Sequence, residues 1–250
     1  MMEVENRKNI NPKVLNALAL RGLALLFMFL GHLKKVVIAA PHSYWMMCVA
    51  NMSPAIFAFQ ISEGFHYTSN RKRYAMRLFL FALVSEIPFN LMAGGFFVPT
   101  RQNVMFTLLL GLLSLWLLRW GKEQKNLWAM ALSVVGAMVM CVAAQVLHMD
   151  HGMLGVLAVV LFGMTRDKTY KYLWQLAGMI LFYIVMYQLI HGSFADNWFI
   201  ALHSWMAVAA LLPIWLYNGK RGPKNKFLQI GAYLFYPAHI MLLVLIRHFA

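Results

Sequence analysis

Nine apolar runs separated by short basic connections constrain this chain more than any other feature. They lie at roughly 15–33, 43–62, 74–93, 103–119, 127–147, 152–165, 171–190, 199–217 and 228–248. A hydrocarbon core about 30 Å thick needs roughly 20 residues of apolar helix to cross it, and in lipid every backbone amide must be satisfied within its own segment. The expected fold class is therefore all-α: a polytopic transmembrane helical bundle of about nine spans. The sixth run is short, and a re-entrant course or an extension into its flanks fits it as well as a full crossing. Of the 250 residues, 62% are hydrophobic and only 12% are charged, about half the charge of a soluble domain.

The distribution of charge points to a bilayer and sets an orientation. A net charge of +14 would suit nucleic acid if the cations formed one patch. Here they fall in clusters between apolar runs, so the expected partner is the lipid bilayer, and no nucleic acid is expected. With the N-terminus cytoplasmic, the inner loops hold Arg7, Lys8 and Lys13; Arg71, Lys72, Arg73 and Arg77; Arg119, Lys122 and Lys125; Arg166, Lys168 and Lys171; and Lys220, Arg221, Lys224 and Lys226. The outer segments hold only Lys34, Lys35, Arg101 and Arg247, which is 17 against 4. The positive-inside rule then predicts N-inside, C-outside. Residues 1–14 are polar and carry no cleavable signal, so they read as a cytoplasmic N-terminal segment. With no internal repeat and no long linker, residues 1–250 read as a single integral membrane domain. Cys48 and Cys141 lie in apolar runs and read as small core hydrophobes, with no disulfide framework and no metal motif.

Within those runs stand ionisable groups that lipid rejects. Arg21 opens the run Arg-Gly-Leu-Ala-Leu-Leu-Phe-Met-Phe-Leu-Gly-His, and His32 closes it. In a helix the two are about 16 Å apart along the axis and within about 20° of one face, because eleven residues make almost three turns. One reading has Arg21 snorkelling to the headgroups and His32 as a polar interface residue. The other makes them a site, since intramembrane ionisable groups are expensive and are candidates for function. In Ile-Ser-Glu-Gly-Phe-His-Tyr-Thr, Glu63 either pairs with the Arg71–Arg73 cluster or orients a histidine or a substrate-binding cation. Glu86, in Val-Ser-Glu-Ile-Pro-Phe-Asn, sits two thirds of the way through its span and must pair, protonate or face a wet cavity. Asn103 and Thr107 share a face and suit interhelical hydrogen bonds. His148, Asp150 and His151 make a poor metal set, and a polar loop with Asp150 as N-cap suits them better. The turn Tyr-Asn-Gly-Lys-Arg-Gly-Pro-Lys is either an ordinary basic loop or a phosphate cradle, with Lys220 and Arg221 beside amides opened by Gly219 and Gly222. His239 follows Pro237 in Leu-Phe-Tyr-Pro-Ala-His, where the proline is expected to interrupt the helix.

Taken in order, Ser-Glu-Gly-Phe-His-Tyr-Thr (62–68), Arg-Tyr-Ala-Met-Arg-Leu-Phe-Leu-Phe-Ala-Leu-Val-Ser-Glu-Ile-Pro-Phe-Asn (73–90), Gln-Asn-Val-Met-Phe-Thr-Leu-Leu-Leu-Gly (102–111), Tyr-Asn-Gly-Lys-Arg-Gly (217–222) and Phe-Tyr-Pro-Ala-His (235–239) resemble the TraX family, named for the conjugative F-pilin N-acetylase. The resemblance covers nearly the whole chain. More distantly, the chain is similar to the acyltransferase-3 group of membrane acyltransferases, whose first helix carries a basic residue, ten intervening residues and a histidine, as Arg21 and His32 do. Two departures stand out. Gly31-His32 occupies a place where many TraX proteins have Asp-His. Val49-Ala50-Asn51-Met52-Ser53-Pro54 stands where many have Gly-Arg-x-Ala-Phe-Pro.

The resemblance implies a multi-pass acetyltransferase of the bacterial inner membrane, using acetyl-CoA as donor and no metal. His32 is then the expected base, with Glu63, Glu86 and His239 supplying acid–base or orienting groups. Arg21, Arg71, Arg73, Arg77, Lys220 and Arg221 are the expected contacts of the acyl-CoA phosphates. The acceptor would be an amine or hydroxyl of a peptide, a pilin-like protein or a glycan. A non-catalytic scaffold of conjugation or secretion, or a small-molecule transporter, would also place Glu and His in membrane spans.

Overall fold

Four of the helices begin where the sequence offers a cap. Asn16, Asn70, Asn103 and Asn126 each turn a side-chain oxygen onto a first-turn backbone N–H, and each starts a helix of 20 residues or more. Such a cap satisfies one of the four donors a helix leaves open and contributes about 1 kcal/mol. The computed structural model describes residues 14–38, 40–98, 100–191, 198–223 and 226–249. Arg7, Lys8, Lys13 and Lys224, counted above as inner-loop cations, lie outside the described residues, as does nearly all of the polar N-terminal segment.

The order of elements is α1 (Ala17–Val36), α2 (Trp45–Ala50), α3 (Met52–Tyr67), α4 (Arg71–Ala93), α5 (Val104–Glu123), α6 (Leu127–Val146), α7 (Gly152–Thr165), α8 (Lys171–Ile180), α9 (Tyr187–His191), α10 (Trp198–Ala209), α11 (Leu211–Trp215) and α12 (Lys226–Phe249). A π-helical stretch, Leu181–Met186, joins α8 to α9. The fold is all-helical. Among the described residues, six helical segments are long and apolar enough to cross a membrane: 17–36, 71–93, 104–123, 127–146, 171–189 and 230–249. The segments 152–165 and 201–215 are apolar but shorter, and α3 has 16 residues.

Two expectations about local structure are corrected. Pro237 does not interrupt its segment: α12 runs from Lys226 to Phe249 with the proline inside it, as α4 runs through Pro88. Nor does Asp150 cap α7. His151 holds that position with φ 63°, and its own side chain makes no capping bond. Asp150 is used through its backbone instead: its N–H donates to Gln102 O at 2.8 Å and its carbonyl accepts from Thr107 Oγ1 at 2.6 Å. The 148–152 turn is thereby tied to the start of α5.

α5 packs on α6 and α7, α3 on α7 and α1, and α12 on both α4 and α1. The first and last helices are therefore neighbours. At the opposite end of α1 from His32, the segment after α11 folds back onto the helix start. Leu15 N–H donates to Leu216 O, Ala17 N–H to Lys220 O, and Asn218 N–H to Leu15 O, at 2.8–3.0 Å. This places Lys220 and Arg221 beside the first turn of the helix that carries Arg21.

Candidate functional site

The side chains at positions 21, 25, 28 and 32 of α1 recur at helical spacing along one stripe. Arg21, Leu25 and Met28 line a largely apolar cavity of about 70 Å³, closed on its other sides by residues that include Tyr74, Tyr233 and Tyr236. At the Arg21 end, Arg21 Nε donates to Gln60 Oε1 at 3.3 Å, and Gln60 Nε2 donates to Ala17 O at 3.0 Å. Gln60 thus fixes the guanidinium from one side. Among the described residues no carboxylate pairs with it, which leaves its other N–H groups for an anion.

Tyr74, buried at 6% exposure, forms part of the cavity wall close to Arg21. Its hydroxyl lies over Gly64, where a Cβ would sit 2.6 Å from the phenolic oxygen. That contact is the physical reason for glycine in the Ser-Glu-Gly-Phe-His stretch.

At the far end of the stripe stand two histidines from opposite ends of the chain. His32 Nδ1 lies 2.7 Å from His239 Nε2, and His239 Nδ1 lies 2.6 Å from Phe235 O. A carbonyl only accepts, so His239 Nδ1 carries hydrogen. In a neutral ring its Nε2 is then an acceptor, and His32 Nδ1 must donate to it. The remaining nitrogen, His32 Nε2, keeps a free lone pair. The chain of bonds fixes tautomer and orientation together and leaves a base pointing away from its support. Aromatic rings enclose the pair: Phe235 stacks on His239 at 4.8 Å, Phe29 meets it edge-on at 6.1 Å, and Tyr236 is 6.2 Å from His32 between ring centroids.

Both carboxylates singled out in the sequence are engaged elsewhere. Glu86 accepts from the side-chain amide of Asn103, which also donates to Ala82 O at 2.8 Å. The Glu86 charge therefore lies at the open N-terminus of α5, where a helix favours an anion. Glu63 accepts from Arg166 Nε at 2.8 Å. Its partner comes from the end of α7 and not from the Arg71–Arg73 cluster. Burial works against the Arg166 charge, but the hydrogen bond and charge of Glu63 outweigh it and hold the guanidinium above its ordinary range.

The cations of the Arg21 end form a rim. Arg221 donates to Tyr67 O at 2.8 Å, and the guanidiniums of Arg166 and Arg221 both lie over the Tyr67 ring, at 5.2 and 5.6 Å. Arg71 covers Phe65 at 4.5 Å and Arg77 covers Tyr74 at 5.6 Å. Arg73 and Lys220 are exposed. Sequence reasoning did not single out Gln60, Tyr74, Arg166 or Tyr236. Gln60 faces Arg21 because α3 packs on α1, and Tyr74 reaches the same cavity from α4, which packs on α12; no local pattern announces either.

The departures at Gly31 and Ala50 meet in space. A Cβ on Gly31 would sit 2.5 Å from Ala50 Cβ, so the helix turn before His32 rests directly on the end of α2.

These features define a helical membrane protein with a cavity between its helices, a cation at one end and a supported imidazole pair beyond the other. The chain belongs to the TraX family: the family model, described as TraX protein, matches residues 17–247. It is also similar to a protein of Dichelobacter nodosus named "Probable fimbrial assembly protein FimC, serogroup H1", with 26% identity over 246 residues, 91% of this chain and 94% of that one. No solved structure matches the chain.

Proposed function

We propose that the protein is an acetyl-CoA-dependent acetyltransferase of the bacterial inner membrane. The observation that carries this reading is the hydrogen-bonded chain Phe235 O, His239, His32, which leaves one imidazole lone pair free beyond the end of a cavity begun by Arg21. The phosphates of acetyl-CoA would meet Arg21 and the rim cations, including Arg71, Arg73, Arg77, Lys220 and Arg221. The pantetheine arm would follow the α1 stripe, whose length of about 16 Å suits an extended arm. At 70 Å³ the cavity is smaller than that arm, so binding has to part the helices along it.

His32 Nε2 takes a proton from the acceptor as the acceptor attacks the thioester carbonyl, the task of a general base. The imidazolium that forms is held by its Nδ1–H bond to His239, the role an orienting carboxylate plays elsewhere. Glu63 and Glu86 support the scaffold in this scheme, each at its own helix end. The name of the Dichelobacter nodosus relative favours a fimbrial or pilin-like subunit as acceptor over a glycan. The same name favours a second reading, a membrane scaffold of fimbrial assembly without catalysis.

Thermal unfolding in detergent with and without acetyl-CoA separates the two. A ligand at 100 times its Kd stabilises by about 2.7 kcal/mol. Stabilisation that weakens in Arg21→Ala and persists in His32→Ala, with acetyl transfer lost in the latter, is the expected result. No stabilisation by any acyl-CoA refutes the enzyme reading in favour of the scaffold.

A further inference from the structure

Among the described residues, Tyr236 is a polar group lining the cavity with no use in the arrangement above. It is 5% exposed, and its hydroxyl has no hydrogen-bond partner. Leaving a buried hydroxyl unpaired is costly, so its presence against an apolar wall calls for a reason. The backbone amide of Val104, at the start of α5, approaches the phenolic oxygen without completing a hydrogen bond to it. An amide can only donate to that oxygen, so the O–H proton is left without an acceptor. Tyr236 sits three residues before His239 on α12 and therefore on the same helix face. Its ring centroid is 6.0 Å from that of His239 and 6.2 Å from that of His32. It is the residue that joins the cavity wall to the imidazole pair.

Resting on the acyl-transfer reading, we infer that Tyr236 is a catalytic residue whose hydroxyl donates to the thioester carbonyl oxygen and stabilises the oxyanion formed there. The step balances as follows. The acceptor nitrogen or oxygen forms a bond to the carbonyl carbon, and the C=O π pair moves to oxygen, where the Tyr236 O–H holds it without giving up its proton. His32 Nε2 takes the acceptor's proton. The C=O then re-forms, the C–S bond breaks, and the departing CoA thiolate takes the proton from His32 Nε2. In this scheme base and oxyanion donor act on the same carbon, which must lie between the His32 and Tyr236 rings, 6.2 Å apart between centroids. Removing a single donor of this kind lowers turnover about 10²–10³-fold.

The test uses full-length protein in nanodiscs, acetyl-CoA, and hydroxylamine as a small surrogate amine, with released CoA as the readout. Tyr236→Phe should lose about 10²–10³-fold in kcat while its KM for acetyl-CoA and its stabilisation by CoA stay unchanged. Because the deleted hydroxyl is unpaired, the variant should unfold no earlier than the wild type. A second readout does not depend on turnover. With a ¹³C-labelled ketone analogue of acetyl-CoA bound, the carbonyl stretch should lie at lower wavenumber in the wild type than in Tyr236→Phe. Should Tyr236→Phe fail to fold, 3-fluorotyrosine at position 236 keeps the shape and strengthens the donor, and it should move both rate and stretch. Unchanged rate and stretch in either variant, with an active wild type, overturn the role of Tyr236 alone. A wild type that neither binds nor turns over acetyl-CoA overturns the acyl-transfer reading and this inference with it.

Discussion

Replacing Gly31 by Ala tests the geometry of the site at its tightest point. The new Cβ would stand 2.5 Å from Ala50 Cβ, whereas carbon atoms settle at about 3.5–4.0 Å. α1 and α2 must therefore part by at least about 1 Å. Overpacking of this kind costs about 1–3 kcal/mol. In chains of this size each kcal/mol lowers the melting temperature by about 2–4 °C, so unfolding in detergent should begin several degrees earlier. The shift falls on the residue before His32, whose 2.7 Å bond to His239 has little slack. A 1 Å misplacement at a reacting group can cost about 100-fold in rate, and acetyl transfer should fall by that order. The rescue is specified by the same geometry. With Ala50→Gly added, the nearest remaining atom is the residue-50 Cα at 4.0 Å, an ordinary contact. The helix-propensity changes at the two positions, each up to about 1 kcal/mol, oppose one another. The double variant should regain both melting temperature and activity. A Gly31→Ala protein that melts like the wild type, or one that Ala50→Gly does not rescue, would refute the reasoning.

Three further outcomes are expected. His239→Ala removes the acceptor that fixes the His32 tautomer and should lower acetyl transfer about 10²-fold or more while leaving CoA stabilisation intact; His239→Gln, which keeps an acceptor oxygen, should retain more activity than Ala. Arg166→Ala strands a Glu63 side chain only 12% exposed and should cost about 2–3 kcal/mol in denaturation, with Glu63→Gln recovering part of it. Asn103→Ala removes the cap of α5, its bond to Ala82 O and the side-chain partner of Glu86 at once, so thermal unfolding should show a loss of about 2 kcal/mol or more.

The helical segments were legible because an apolar run has one stable course in lipid: each of the nine expected segments contains helix. The intramembrane residues His32, Glu86 and His239 were legible for the complementary reason, that lipid rejects them. What the sequence left open was partnership. Nothing local says that residue 32 meets residue 239, or that Glu63 takes Arg166 over the nearer Arg71–Arg73 cluster. Those choices follow from which helices lie side by side. Asn103 illustrates the same limit: its pattern suggested a bond between helices, which it makes to α4, but the cap it supplies to its own helix depends on where α5 begins. Pro237 misled because a proline removes one donor without requiring a break, and α12 continues past it.

The bond between His32 and His239 joins the first helix to the last, so the order of synthesis has a bearing on the site. A growing chain presents α1 to the membrane before most of its neighbours exist, and His32 then has no supporting imidazole. Only after the final 24-residue helix has been made and has packed against α1 does the base acquire its fixed tautomer. A chain that stops between Arg221 and α12 holds the cations of the Arg21 end and the α1 stripe, yet leaves His32 without His239. The contact between His32 and His239 forms only when α12 packs on α1.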